Sequence, residues 1–189
     1  FQDGGYDVID FYQVDPRFGT NTDLIEFVKA AHKSGMHVVM DLVAGHSSDK
    51  SAWFIQSKEK DPNLQYSDYY IWASEKPADL TQAEAARWVE ADAPRGNYYI
   101  KNYYDIQPAL NYGYANPNPN RPWEQPVDAP GPQAVRQELK DIISFWMDKG
   151  IDGFRVDLAA SLVKNDADKS ATIKLWQEMT AWFGNKYPE

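Results

Sequence analysis

The chain of 189 residues contains no cysteine, which excludes disulfides, thiolate catalysis and cysteine-ligated zinc. Basic side chains are few: 19 Lys and Arg stand against 28 Asp and Glu, a formal net charge of −9. No basic run is available to displace phosphate counterions, which argues against a nucleic-acid partner and, for the same reason, against an anionic membrane surface. Apolar runs are short, none approaching the roughly 20 residues of a membrane span. The opening Phe1-Gln2-Asp3 lacks the charged-then-apolar order of a secretory leader, and the compartment stays open. H-x-x-x-H, G-x-G-x-x-G, P-loop and G-x-S-x-G patterns are missing too, so zinc hydrolysis, dinucleotide binding, phosphate cradling and a serine-hydrolase elbow have no support. What the chain does have is aromatics: 7 Trp, 12 Tyr and 8 Phe. Combined with carboxylates, they suit a neutral hydroxylated ligand such as a sugar, and they equally suit an aromatic core.

Hydrophobic residues make up 43% and charged residues 25% of the chain, an ordinary globular balance for one domain or part of one. From Asn21 to Ser34 the spacing predicts an amphipathic helix with Leu24, Ile25, Phe27, Val28 and Ala31 on one face. Thr20 or Asn21 is its N-cap, and Gly35 follows its end. Met36 to Val43 is a nearly continuous apolar run between glycines, which predicts a parallel strand covered on both faces. The order then recurs. Gln133 to Lys149 is helical, Gly150 ends it, Ile151 to Val156 is a strand, and Leu162 to Phe183 is mostly helical with Gly184 as its stop. Helix, glycine, strand, loop and helix are the parts of an α/β fold. The stretch between the two strands far exceeds the usual 2–6 residues of such a connection. Residues 46–131 carry Trp53, Trp72, Trp88 and tyrosine-rich runs, and read as an inserted subdomain. Its proline-rich end, including Ala129-Pro-Gly-Pro, is expected to be an extended loop.

Asp41 interrupts the first strand, and Arg155 and Asp157 interrupt or end the second. A buried charge needs a partner or a task. Side chains alternate along a strand, so Arg155 and Asp157 share a face one pleat apart. A neighbouring guanidinium favours an ionised carboxylate, the form a nucleophile requires. An internal ion pair without a catalytic role fits the same spacing. Of the three histidines, His32 reads as a surface residue and His37 as a core or edge position at a strand's start. His46 follows the first strand at its carboxyl end, where α/β barrels build active sites, and a neutral imidazole there can donate to a sugar hydroxyl. A role in stabilising the loop is the alternative.

Together these segments resemble glycoside hydrolase family 13, the α-amylase family, and most closely its oligo-1,6-glucosidase and α-glucosidase branch. The resemblance rests on Asp3-Gly-Gly-Tyr6 with Val14-Asp-Pro-Arg-Phe-Gly-Thr20, on Asp41-Leu-Val-Ala-Gly-His46, on Ser47-Ser-Asp with Trp53 and Asp68-Tyr-Tyr-Ile-Trp72, on Gln107-Pro-Ala-Leu-Asn111, and on Gly153-Phe-Arg-Val-Asp157. It implies part of a (β/α)8 TIM barrel, about strands 2 to 4 with their helices, and a small subdomain inserted after strand 3. The implied boundaries are a barrel segment at 1–46, the insert and its Pro-rich loop at 47–131, and a second barrel segment at 132–189.

Carried over, the resemblance makes Asp157 the catalytic nucleophile, Arg155 its charge partner and Asp41 a brace for Arg155. Asp3, Tyr6 and His46 become substrate-binding residues around the non-reducing sugar, with Tyr6 offering a ring face. The implied partner is an α-glucan or oligosaccharide, cleaved with retention through a covalent glycosyl-Asp intermediate. Transglycosylation is the alternative, as is a catalytically silent scaffold or transporter subunit, although such relatives normally lose the nucleophile or its arginine. An all-β starch-binding module conflicts with the α/β periodicity. Four departures stand out. Gly45 replaces an asparagine that ligates calcium in many amylases, so no metal is expected there and no cofactor is required, while calcium elsewhere in the full-length enzyme stays open. Ala109 replaces an acidic residue of the branch, Leu158 follows the nucleophile in place of a smaller residue or valine, and Ala160 with Ser161 replaces a Lys-His pair. Retaining glycosidases use two carboxyls about 5–5.5 Å apart. The resemblance places the acid after a fifth strand that this chain does not reach, so the segment is expected to need the remainder of the barrel and to be inactive alone. Glu189 is expected at the opposite end of that strand from the catalytic rim.

Overall fold

The computed structural model describes residues 2–188; Glu189, and with it the expectation for its position, lies outside them. Helix α1 (Asn21–Lys33) starts at a capping box, in which Thr20 accepts from the Asp23 N–H while the Asp23 carboxylate accepts from the Thr20 N–H. Val28 and Ala31 are buried and Leu24 packs behind them. Phe27, expected on the same face, is 60% exposed, because it lies about 100° around the helix from Val28. Gly35 and Gly150 follow the ends of α1 and of the later helix Pro130–Met147 with φ of +72° and +98°, the left-handed region that a glycine enters without Cβ strain.

Strand β1 (Val39–Leu42) follows, shorter than the apolar run that predicted it. Its partner is β5 (Gly153–Val156), with Asp41 opposite Arg155 and Leu42 opposite Val156 in a parallel register. The Asp157 N–H extends the ladder by donating to the Leu42 carbonyl at 3.0 Å. These are the two strands expected to be parallel neighbours. They form a two-stranded sheet, and the expectation of cover on both faces is not met: Val39 is 60% and Met36 57% exposed. No further strand flanks the pair among the described residues.

Between them the chain makes α2 (Ala52–Ser57), β2 (Trp72–Ala73), α3 (Gln82–Ala85), β3 (Trp88–Ala93) and β4 (Gly96–Ile100). The three strands form an antiparallel sheet in the order β2-β4-β3. Gly96 is required there, since a Cβ would stand 2.6 Å from the Ala73 carbonyl oxygen. The aromatics of this segment pack on one another: Phe54 stacks on Trp72 with ring centroids 5.3 Å apart and meets Tyr70 and Tyr99 edge-on. A second cluster gathers Ile71, Trp88, Ile100, Ala109 and Tyr114. The rich aromatic content is therefore largely core.

Helix α4 (Pro130–Met147) begins inside the proline-rich stretch expected to be extended. Proline fits the first turn of a helix, where its missing N–H has no partner to lose. α4 buries Val135, Leu139, Ile142, Ile143 and Trp146, and the Trp146 indole donates to the Phe11 carbonyl at 2.8 Å. After β5 a short 3-10 turn (Ala159–Ser161) and an irregular stretch precede α5 (Ser170–Lys186). The expected helix from Leu162 thus starts eight residues later (170 − 162). Leu162 and Val163 are buried as loop core, and Gly184 lies within α5 instead of stopping it. A buried loop gives the same apolar signal as a helix face, and a single glycine costs a helix only about 1 kcal/mol.

Candidate active site

The parallel pairing sets the site. Asp41 and Arg155 face each other across the sheet, and Asp157 lies one pleat beyond Arg155. Arg155 Nη1 lies 3.0 Å from Asp157 Oδ1 and 3.4 Å from Asp41 Oδ1. One guanidinium therefore bridges two carboxylates, which raises its own affinity for the proton, Asp41 being the larger influence. The arrangement expected from strand alternation is present, but it is wetter than expected: the Arg155 and Asp41 side chains are 56% and 46% exposed, against 19% for Asp157. The exposure follows from the uncovered face of the two-stranded sheet. Immediately after Asp157, Leu158 adopts φ +47°, a conformation uncommon for a residue with a Cβ, which swings the chain away from the strand line and leaves Asp157 at its tip.

Tyr6 reaches the same group from the loop before α1. Its hydroxyl donates to Asp41 Oδ2 at 2.9 Å, and that hydrogen bond to an anion raises its pKa. The Tyr6 carbonyl accepts from His46 Nε2 at 2.9 Å, while His46 Nδ1 lies 2.9 Å from Asn102 Nδ2. A carbonyl only accepts and an amide NH2 only donates, so His46 carries its proton on Nε2. Burial lowers the His46 pKa. It is a neutral ring, as expected, but 2% exposed with both nitrogens committed inside the protein. The expected donation to a sugar hydroxyl would require it to give up the Tyr6 carbonyl. Its evident task is to tie the Tyr6 loop to the end of β1.

Asp3 accepts from Gln107 Nε2 at 2.6 Å and is steadied by Asp7, which is buried and accepts from the Asp3 N–H. Asp3, Tyr6, His46 and Asp157 line one cleft of about 310 Å³ with Tyr103, Tyr104, Gln107 and Leu158. All four of these expected residues thus meet at one rim with Arg155 and Asp41 beside it. Asn102, Tyr103 and Tyr104 were not singled out from the sequence. The run Asn102-Tyr-Tyr-Asp-Ile-Gln107 carried a signal in its adjacent tyrosines, which are 62% and 49% exposed and meet each other edge to face with ring centroids 4.7 Å apart. Asn102 carried none, because its partner is 56 positions away.

At Gly45, an ideal Cβ would stand 2.6 Å from Asn102 Nδ2. The space that a calcium-ligating amide would need is filled by the donor that fixes His46, and a cation would meet N–H there in place of oxygen. No group of three or more His, Asp or Glu among the described residues is arranged to hold a metal. Ala109 is fully buried and pairs with His46 across an isolated bridge, an environment hostile to the acidic residue it replaces.

Residues 1–187 match the model of the alpha amylase catalytic domain. The chain is 36% identical over 168 residues to an oligo-1,6-glucosidase of Heyndrickxia coagulans, covering 86% of this chain and 27% of that protein. It is 37% identical over 171 residues to a trehalose synthase/amylase of Mycobacterium tuberculosis, covering 87% and 25%. Among solved structures, trehalose-6-phosphate hydrolase of Bacillus licheniformis superposes with a TM-score of 0.74 at 30% identity, over 98% of this chain and 33% of that one. The chain spans about a quarter of the length of the curated relatives it matches.

Proposed function

The chain belongs to the alpha-amylase catalytic-domain family, and from that premise we propose that it supplies the nucleophile half of a retaining α-glucoside hydrolase. The observation that carries the reading is the Arg155–Asp157 contact at the carboxyl end of β5, opening into the cleft lined by Asp3, Tyr6 and His46. β1 and β5 are read as the third and fourth strands of a (β/α)8 barrel, with residues 1–46 and 132–189 as barrel segments and 47–131 as the insert after strand three.

In the reaction, a carboxylate oxygen of Asp157 attacks the anomeric carbon as the glycosidic C–O bond breaks, and the departing oxygen takes a proton from a general acid. That acid is placed outside these 189 residues, in the portion of the relatives that the chain does not span. Water then attacks the glycosyl ester and regenerates Asp157; a second sugar in place of water gives transfer. Arg155 keeps Asp157 anionic and aimed, while Asp41 and Tyr6 hold Arg155. Tyr103 and Tyr104 offer faces to the sugar, and Asp3 offers an acceptor to its hydroxyls. No step is assigned to a metal, and calcium is not placed at Gly45. The stereochemistry tests the reading. Full-length protein acting on 4-nitrophenyl α-glucoside should release α-glucose first, seen by proton NMR before mutarotation. Initial release of β-glucose would refute the double displacement.

A further inference from the structure

A second cavity is larger than the cleft at Asp157. A space of about 810 Å³ lies between the α3–β3 region and the loop after β5, and it meets the smaller cleft at Leu158, which lines both. On the hydrolase reading, Leu158 stands between a sugar bonded at Asp157 and this space.

The cavity wall carries an unusual set of charges. Lys164 is 92% buried (100 − 8), and its backbone is pinned on both sides, the N–H donating to Gly113 and the carbonyl accepting from Ala115. Its ammonium makes one hydrogen bond, to the Ser161 carbonyl at 3.0 Å, which leaves two of its three donors unspent. Burial, with the cations Arg87 and Lys169 acting in the same direction, pushes the Lys164 ammonium down to about 7. Both line the same cavity; Lys169 acts electrostatically on the Asp166 carboxylate, whereas Arg87 stands on the wall with no carboxylate in ion-pair contact among the described residues.

The carboxylates on the wall are occupied elsewhere. Glu84 caps α3 through Thr81, Glu124 is held by Arg121 and the Asn118 N–H, and Asp166 caps α5 through Thr172 and Ala171. Arg121 is in turn shared between Glu124 and Asp79. Lys164 and Arg87 therefore line an open space with no ion-paired carboxylate of their own among the described residues, and Lys169 adds positive charge beside Asp166, in a chain whose net charge is −9. Desolvating a lysine among like charges is unfavourable unless something compensates it.

We propose that this cavity is a subsite for an anionic sugar, one bearing a phosphomonoester or a carboxylate, with Lys164, Arg87 and Lys169 as its ligands. The proposal rests on the hydrolase reading for the position of the sugar ring and on the cation set for its charge. Phosphate and carboxylate share the chemistry, an oxyanion accepting charge-assisted hydrogen bonds.

The test is calorimetric titration of the full-length protein with glucose, glucose 6-phosphate and glucuronate. At least one of the charged sugars should bind about ten-fold or more tightly than glucose, roughly the worth of one hydrogen bond to a charged group, and which one does identifies the oxyanion. Lys164→Met should bring that ratio close to one. Arg87→Gln, at an exposed position that leaves the core untouched, should lower it part of the way. Equal affinity for neutral and charged sugars, or a ratio unchanged in both variants, overturns the proposal. Turnover of 4-nitrophenyl α-glucoside, measured alongside, separates the two readings. Turnover without charge preference removes the anionic subsite alone, and charge preference without turnover removes the hydrolase reading alone.

Discussion

The two ends of the β1–β5 pair use the same residue types to opposite effect. At the amino end, Asp152 accepts from the Val38 N–H and meets His32 at 2.8 Å and His37 at 3.3 Å. The histidine side chains are 39% and 82% exposed. Water reaches all of them, and the Asp152 carboxyl is held well below the usual carboxylate range, by the Val38 N–H first and then by His32. At the carboxyl end His46 is 2% exposed, hydrogen-bonded on both nitrogens and biased toward neutrality by burial. The wet end is a surface clasp between α1 and β5. The carboxyl end turns its buried histidine into a fixed scaffold and leaves Asp157 and the exposed Arg155 as the groups able to act. Burial of the histidine, more than residue identity, separates the two.

The largest expected effect lies at the carboxyl end. Asp157→Asn in the full-length enzyme should lower kcat/KM by about three or more orders of magnitude with an unchanged circular dichroism spectrum, because an amide cannot form the glycosyl ester. Near-normal turnover would move the nucleophile elsewhere. Arg155→Ala should cost roughly a hundred-fold in kcat/KM, yet change the urea midpoint of this chain little, since water screens the ion pairs of an exposed guanidinium.

Next comes the histidine scaffold. Asn102→Ala leaves His46 Nδ1 buried without its donor and should destabilise the fold by about 1–3 kcal/mol in thermal unfolding. The pH dependence has a definite sign. The folded His46 pKa lies below its ordinary value of 6.5, so its contribution to stability is complete above about 6.5 and declines as pH falls below that. His46→Gln should flatten the loss of melting temperature between pH 7 and pH 5, and an unaltered slope would assign it to other groups.

The smallest effect belongs to the wet end. Asp152→Asn should lower the melting temperature at neutral pH by less than Asn102→Ala, and the difference should shrink at high salt, as screening of an exposed cluster requires. Because the Asp152 pKa is lowered, its contribution fades only as pH falls below the ordinary carboxylate value of 3.8. An effect at Asp152 as large as that at Asn102 would break the contrast between the ends.

What the sequence made legible follows the same division. The apolar runs and glycine stops predicted the two strands and strand alternation predicted the Arg155–Asp157 contact, since both depend on local spacing that the backbone repeats faithfully; the parallel pairing of these strands followed from the barrel resemblance. The first turn of α4 was misread because proline marks a helix start as well as a loop. Leu162 and Val163 were misread because an apolar loop core has no period of its own. The exposure of Val39, Asp41 and Arg155 was not legible from their own segment, as it depends on which strands flank the pair. Asn102 and Lys164 escaped notice for a related reason: their roles come from partners that only the folded chain brings near.

The central claim is that Asp157 is the residue that bonds to the sugar. Incubating full-length protein with 5-fluoro-α-glucosyl fluoride, which forms the glycosyl ester quickly and releases it slowly, then digesting at low pH and sequencing the labelled peptide by mass spectrometry, reads the site directly. The account predicts one added fluoroglucosyl group on the peptide containing Gly153-Phe-Arg-Val-Asp157, located at Asp157 and absent in Asp157→Asn. A label on any other carboxylate, or rapid turnover of a good α-glucoside by Asp157→Asn, would contradict it.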